Sequence, residues 1–195
     1  MDTNNNMPQL NPIPEPSPEP GPPSTGQLVW VLTRELLETI IPAIVIALLI
    51  NMFLAQSTYV YGSSMEPNLH TDQRLMIEKV SYHFHQPVRG DIVVIKVPFS
   101  EIPLIKRVIG LPGDVVEVQD SQVYINGQLL NEPYLNVDHQ RDVSPVVVPQ
   151  GQIFVMGDNR NASNDSRFFG TVPTEDIIGR AWLSYWPLED AGLVK

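Results

Sequence analysis

Between Thr39 and Val60 the chain reads TIIPAIVIALLINMFLAQSTYV, without one charged residue. As a helix rising 1.5 Å per residue, these 22 residues extend about 33 Å, close to the roughly 30 Å hydrocarbon thickness of a bilayer. A buried helix of a soluble protein is the alternative. It would ask about 140 further residues to wrap a long helix that is apolar on every face. A cleaved signal peptide fits poorly, because more than 30 residues precede the run and Arg34 alone among them is basic. The sequence therefore predicts one transmembrane helix within residues 32–60. It would begin near Leu32 or Leu36 and hold Arg34, Glu35 and Glu38 at the interface. Pro42 and Asn51 are tolerated inside a single span, Asn51 at some cost.

Residues 1–31 read as a tail. Eight of the chain's 19 prolines fall between Pro8 and Pro23. Proline fixes φ and removes the backbone donor, so this stretch makes neither helix nor central strand. With few large apolar residues it has no core to join, and disorder of polyproline character is expected. The net charge of −10 argues against a nucleic-acid partner, which needs clustered Lys and Arg. Zero cysteines exclude disulfide scaffolds, thiol nucleophiles and every Cys-based zinc site. His83 and His85 are spaced to share a strand face, but no further ligand cluster accompanies them, so neither metal nor cofactor is expected.

The remainder, 61–195, reads as strands. Asp91–Val97 and Ile102–Ile109 are β-branched runs, and Leu111-Pro112-Gly113-Asp114 is a turn. Val115–Val118 and Val123–Ile125 lead to Asn126-Gly127, the pair that favours a type I′ hairpin, then Leu129-Leu130. Val146–Val148 and Ile153–Met156 flank a Pro149–Gly151 turn. No stretch keeps a long 3.6-residue period. The fold class expected is mainly β: an antiparallel multi-sheet, barrel-like domain following one N-terminal transmembrane helix.

Three stretches could carry chemistry. Tyr61-Gly62-Ser63-Ser64-Met65-Glu66-Pro67-Asn68 directly follows the apolar run, and by itself reads as a loop leaving a membrane. Lys106 and Arg107 sit in an apolar strand, where adjacent side chains face opposite ways. One of them can face a protected interior, or the lysine can guard an exposed sheet edge. From Gly157 to Gly170 the chain packs two arginines, two aspartates, two serines and three asparagines. That polarity suits a solvated loop, or a buried network locked by charge-assisted hydrogen bonds.

Taken in order, these stretches resemble the type I (leader) signal peptidases, membrane-bound serine–lysine proteases. The resemblance rests on Ser64-Met65-Glu66-Pro67, on Arg89-Gly90-Asp91-Ile92-Val93-Val94 and on Ile105–Asp114. Gly157-Asp158-Asn159-Arg160, with Ser163, Asp165, Ser166 and Arg167, and Gly179-Arg180-Ala181 complete it. It spans roughly Tyr61 to Trp186.

The resemblance implies Ser64 as nucleophile and Lys106 as general base. A lysine can act so only when its amine is neutral, and burial lowers its pKa by disfavouring the ammonium. Met65, Ile105 and Val108 are the candidate walls of that apolar pocket. The resemblance further implies that Ser163 hydrogen-bonds and orients the Lys106 amine, and that Asp165 and Arg167 form a supporting salt bridge. Asp158 and Arg160 would hold the surrounding loop, and Arg107 would be structural. The Ser64 N–H would be one oxyanion donor. Two residues earlier, where some members carry a serine, stands Gly62, a backbone contributor at most.

As partners, the resemblance implies the signal peptides of exported preproteins, bound as an extended strand and cut after small-x-small sites. Tyr59 and Tyr61 are candidate groove residues. Membrane lipid would be the other partner, with Phe168, Phe169, Trp182, Tyr185 and Trp186 as candidates for an interfacial surface. The enzyme would work as a monomer without cofactor or metal. It would be single-pass in the inner (plasma) membrane, with an extracytoplasmic catalytic domain and a cytoplasmic tail, a layout that also suits a thylakoid membrane. The competing readings are another membrane-tethered serine–lysine protease and an inactive scaffold homologue.

Overall fold

The structure is a computed structural model that describes residues 25–49, 55–135 and 141–194. The chain divides into two compact units at Ile44–Val45. Helix α1 spans Thr25–Leu49 and contains Pro42. Arg34 pairs with Glu38 one turn on, at 2.6 Å, and its guanidinium lies 5.6 Å from the centre of the Trp30 ring. The helix begins earlier than expected, because no proline intervenes between Pro23 and Pro42. Residues 25–31 are thus helical rather than tail, and 1–24 lie outside the described residues.

The expected span 32–60 is not seen as one helix. No helix among the described residues is long and apolar enough to cross a membrane. The charged turn at Arg34, Glu35 and Glu38 leaves Thr39–Leu49 as the longest uncharged stretch within α1, about 16 Å of rise. Residues 50–54 lie outside the described residues. Beyond them the uncharged run ends in a strand, β1 (Ala55–Tyr59), whose Gln56, Ser57 and Thr58 suit a sheet edge better than a lipid-facing helix.

After β1 come β2 (Arg74–Glu78), a single turn α2 (Ser81–Phe84), β3 (Ile92–Val97) and the long β4 (Ser100–Gly110). Then follow β5 (Val115–Gln119), β6 (Gln122–Ile125), β7 (Gln128–Leu129), β8 (Val143–Val147) and β9 (Gln152–Met156). The turn α3 (Ser166–Phe169), β10 (Val172–Pro173), β11 (Ile177–Trp186) and β12 (Gly192–Leu193) close the chain. His83 lies in α2 and His85 just after it, so their spacing gives no shared strand face.

All strand pairing among the described residues is antiparallel. The larger sheet runs β1-β2-β11-β3-β4-β9-β10, with β12 beside β11, and the smaller β7-β6-β5-β8. The β6–β7 hairpin turns on Asn126 and Gly127 at φ +52 and +76, the left-handed pair a type I′ turn requires. Strand β3 is apolar from Ile92 to Ile95 because both its faces are buried there, and only Lys96 reaches solvent. Ile92 and Val94 join a cluster with Val60, Met65, Leu69 and Ile105. Val93, Ile95 and Val97 join another with Val108, Ile153 and Val155. A third cluster packs the smaller sheet, through Val116, Val118 and Val123, onto Ile109, Phe154 and Met156 of the larger. Each fully buried side chain of this size contributes about 2 kcal/mol.

Candidate active site

Ser64 sits on the turn Ser64–Asn68 that joins β1 to β2, directly above the first cluster. Met65 anchors the turn at 1% exposure, and Leu69 donates its N–H back to the Met65 carbonyl at 2.9 Å. Lys106 lies in the middle of β4, opposite Val93 of β3. The alternation of the strand sends Lys106 to one face and Arg107 to the other. The Lys106 amine donates to Ser64 Oγ at 2.7 Å and to its neighbour carbonyl Ile105 O at 3.0 Å. At 2% exposure Lys106 is no edge lysine. Burial pushes its pKa from the ordinary lysine value down to about 8. The Asp165 and Asp158 carboxylates oppose that fall, and Arg167 assists it.

Arg107, also 2% exposed, clasps Asp158 with two hydrogen bonds of 2.8 and 2.7 Å and donates a third to Gly90 O at 3.0 Å. Its guanidinium stacks 4.0 Å from the centre of the Tyr134 ring. Asp165 begins α3 and binds Arg167 through both carboxylate oxygens at 2.8 Å, while accepting from the Gly157 N–H at 3.0 Å. Burial alone would raise the Asp165 carboxyl. The Arg167 guanidinium, with help from Ser163 and the Gly157 N–H, outweighs it and holds the carboxyl below the usual range. Arg160 bonds Gly157 O and pairs with Glu132. The polar stretch is therefore a buried network rather than a solvated loop.

Ser163 is brought to the same place but does not hold the base as expected. It is 7% exposed, and its hydroxyl makes no hydrogen bond of good geometry, to Lys106 or to any other described group. It lies close enough to Asp165 to influence that carboxyl, while the amine is taken up by Ser64 and Ile105. Gly62 is exposed at φ +77, with nothing within 4 Å of where a Cβ would stand. Of the candidate pocket walls, Met65 and Ile105 share the cluster beneath Ser64, whereas Val108 belongs to the cluster on the other face.

Beside the pair lies a groove of about 250 Å³, lined by Tyr59, Tyr61, Ser64, Ile102, Leu104 and Lys106 among others. Several contributors escape a reading of the sequence. A Cβ on Gly157 would collide with Ser163 and with the Ser64 carbonyl. That same carbonyl accepts from the Asn159 N–H at 3.0 Å. Tyr134 and Glu132 carry no motif at all; only the topology brings them here.

Residues 33–186 match the family model described as "Signal peptidase, peptidase S26". A probable signal peptidase I-2 of Synechocystis sp. is 43% identical over 166 residues, covering 82% of this chain and 76% of the relative. A signal peptidase I of Leptolyngbya laminosa is also 43% identical over 166 residues, covering 81% and 82%. A crystal structure of a signal peptidase I from Enterococcus faecalis V583 is 38% identical and covers 49% of this chain and 97% of its own, with a TM-score of 0.45. With a family model matched over most of its length and relatives this similar, the chain belongs to the signal peptidase family, peptidase S26.

Proposed function

We propose that Ser64 is the nucleophile and Lys106 the general base of this signal peptidase I-type serine endopeptidase, which releases signal peptides from exported preproteins. The observation that carries the assignment is the 2.7 Å contact between Ser64 Oγ and an amine whose lysine is 2% exposed. In its neutral form Lys106 takes the hydroxyl proton along that contact as Oγ attacks the scissile carbonyl carbon. The resulting ammonium then protonates the leaving amine as the peptide C–N bond breaks, which leaves an acyl ester on Ser64. Water hydrolyses the ester, with Lys106 accepting a proton from water and returning it to Ser64. The Ser64 N–H, which donates to no acceptor among the described residues, is the oxyanion donor. Asp165, Arg167 and Asp158 hold the frame, and the buried Ser163 hydroxyl is within reach of the charges around the base.

The substrate is an extended segment with small side chains before the cut, laid along the groove beside β1 and the first half of β4. In support, β9 pairs with β4 only from Arg107 onward, so 100–106 lack a strand on that side among the described residues. The family is membrane-associated with an extracytoplasmic catalytic domain. We place the anchor in the uncharged segment before β1, single-pass in the plasma or a thylakoid membrane, with the proline-rich tail on the cytoplasmic side. The exposed rings of Phe168, Trp182 and Trp186 suit contact with lipid. Phe169 packs against the core, and Tyr185 bonds Ser57 at 2.6 Å.

The test is cleavage of a preprotein by the purified chain in detergent. Ser64→Ala and Lys106→Ala are each expected to lose at least about a thousandfold in kcat. Undiminished cleavage by either variant overturns the dyad. Protease protection in sealed vesicles, with residues 1–24 on the opposite side from the catalytic domain, tests the placement.

A further inference from the structure

We propose that Asn68 is a positioning residue that fixes the angle at which the Ser64 turn meets Lys106. The inference rests on the Ser64–Lys106 reading and concerns a side chain that touches neither group. Asn68 is four residues beyond Ser64, at the other end of the same turn. Its amide donates one hydrogen to Asp158 Oδ2 at 2.8 Å and the other to Tyr134 O at 2.9 Å. Asp158 is the fully buried carboxylate clasped by Arg107, the residue next to Lys106 on β4. The Ser64 carbonyl is meanwhile tied to the N–H of Asn159, the residue after Asp158. The turn is thus docked on one dipeptide at two points, a main-chain bond at its start and a side-chain bond at its end.

Burial of Met65 and Leu69 seats the turn, and the bond at Ser64 sets its start, but neither fixes the tilt of its far end. A second bond at the far end fixes that tilt and aims Oγ at the amine. The chemistry of the partners explains the residue type. Asp158 Oδ2 and Tyr134 O are both acceptors, and a primary amide is the uncharged side chain of this length that offers two donors. Serine or threonine has one donor to give, alanine none, and aspartate would set a carboxylate against Asp158. Asn68 does not line the groove beside Ser64. Misalignment therefore slows proton transfer and attack while substrate binding is kept.

The experiment measures kcat and KM for preprotein cleavage by the full chain in detergent, with thermal unfolding as a control. Asn68→Ala is expected to lower kcat by about 10- to 100-fold with KM within about twofold. Asn68→Ser, which retains one donor, is expected to fall between Asn68→Ala and wild type. It carries the same test should Asn68→Ala fail to fold. A folded variant with wild-type kcat, or a loss confined to KM, overturns the proposal. Ser64→Ala is run alongside: if it stays active, the dyad itself is wrong. If it is inactive while Asn68→Ala keeps its kcat, only the role of Asn68 fails.

Discussion

Between Ser64 Oγ on one side and its own strand carbonyl on the other, the Lys106 amine sits where water cannot solvate an ammonium. Its lowered pKa of about 8 gives the reaction a pH dependence. If Lys106 is the base, as proposed, it works when neutral, so kcat/KM should rise with pH through a midpoint near 8 and then level off, read from a pH–rate profile. The same shift bears on stability. In the unfolded chain the amine titrates near the ordinary value of about 10.5, so between pH 8 and 10.5 the unfolded state binds more protons and stability rises with pH. Below 8 the folded state carries a buried ammonium. Lys106→Met should therefore stabilise the inactive enzyme by about 2–3 kcal/mol at pH 7, and by less at pH 10, measured by urea unfolding. Gly157→Ala should keep the fold but cut kcat about a hundredfold, because the new methyl group displaces the Ser64 carbonyl and Ser163. The motifs singled out Ser64 and Lys106, and the fold brings the two side chains to 2.7 Å. Gly157 stands at the head of a motif, but the motif does not say why it is glycine: the reasons are Ser163 and the Ser64 carbonyl, 93 residues away, which only the fold brings against it.

The apolar strands were legible because their composition matches burial on one or both faces. Strand β3 shows this in its run of Ile and Val from Ile92 to Ile95, buried on both faces. Strand β1 was misread as the end of a membrane span, since an uncharged segment with β-branched and aromatic residues suits either setting until its partner is known. Its partner β2 (RLMIE) and the long β11 are interrupted by charged, polar or glycine residues that hide them from a search for apolar runs. At this scale the short α3 bears a measurable load. Asp165 caps it through the Arg167 N–H at 3.2 Å, neutralises the Arg167 guanidinium and holds the Gly157 N–H. Asp165→Ala leaves a buried arginine without its carboxylate and should cost about 3–5 kcal/mol in denaturant unfolding. Because the Asp165 carboxyl is held below its usual range, its contribution is complete above the ordinary carboxylate pKa. It is lost only as pH falls through the lower folded value.

In the catalytic domain the two sheets share one core across Ile109, Phe154 and Met156, so they should melt together rather than in turn. Phe154→Ala is expected to cost about 3–5 kcal/mol and to leave a single transition, whether followed by far-ultraviolet circular dichroism or by tryptophan fluorescence. The segment between β7 and β8 of the smaller sheet reaches the active loop, with Glu132 on Arg160 and Tyr134 against Arg107.

Strand β4 sets the base and the Asp158 clasp on consecutive residues facing opposite ways. Its pairing frame is therefore a catalytic parameter. A slip of one residue in one direction would offer Ser64 a guanidinium, which never surrenders its proton near neutral pH; a slip in the other would hand Asp158 a single-pronged amine in place of a fork. A residue inserted between Ile105 and Lys106 would therefore cost both the Ser64–Lys106 contact and the buried Arg107–Asp158 pair.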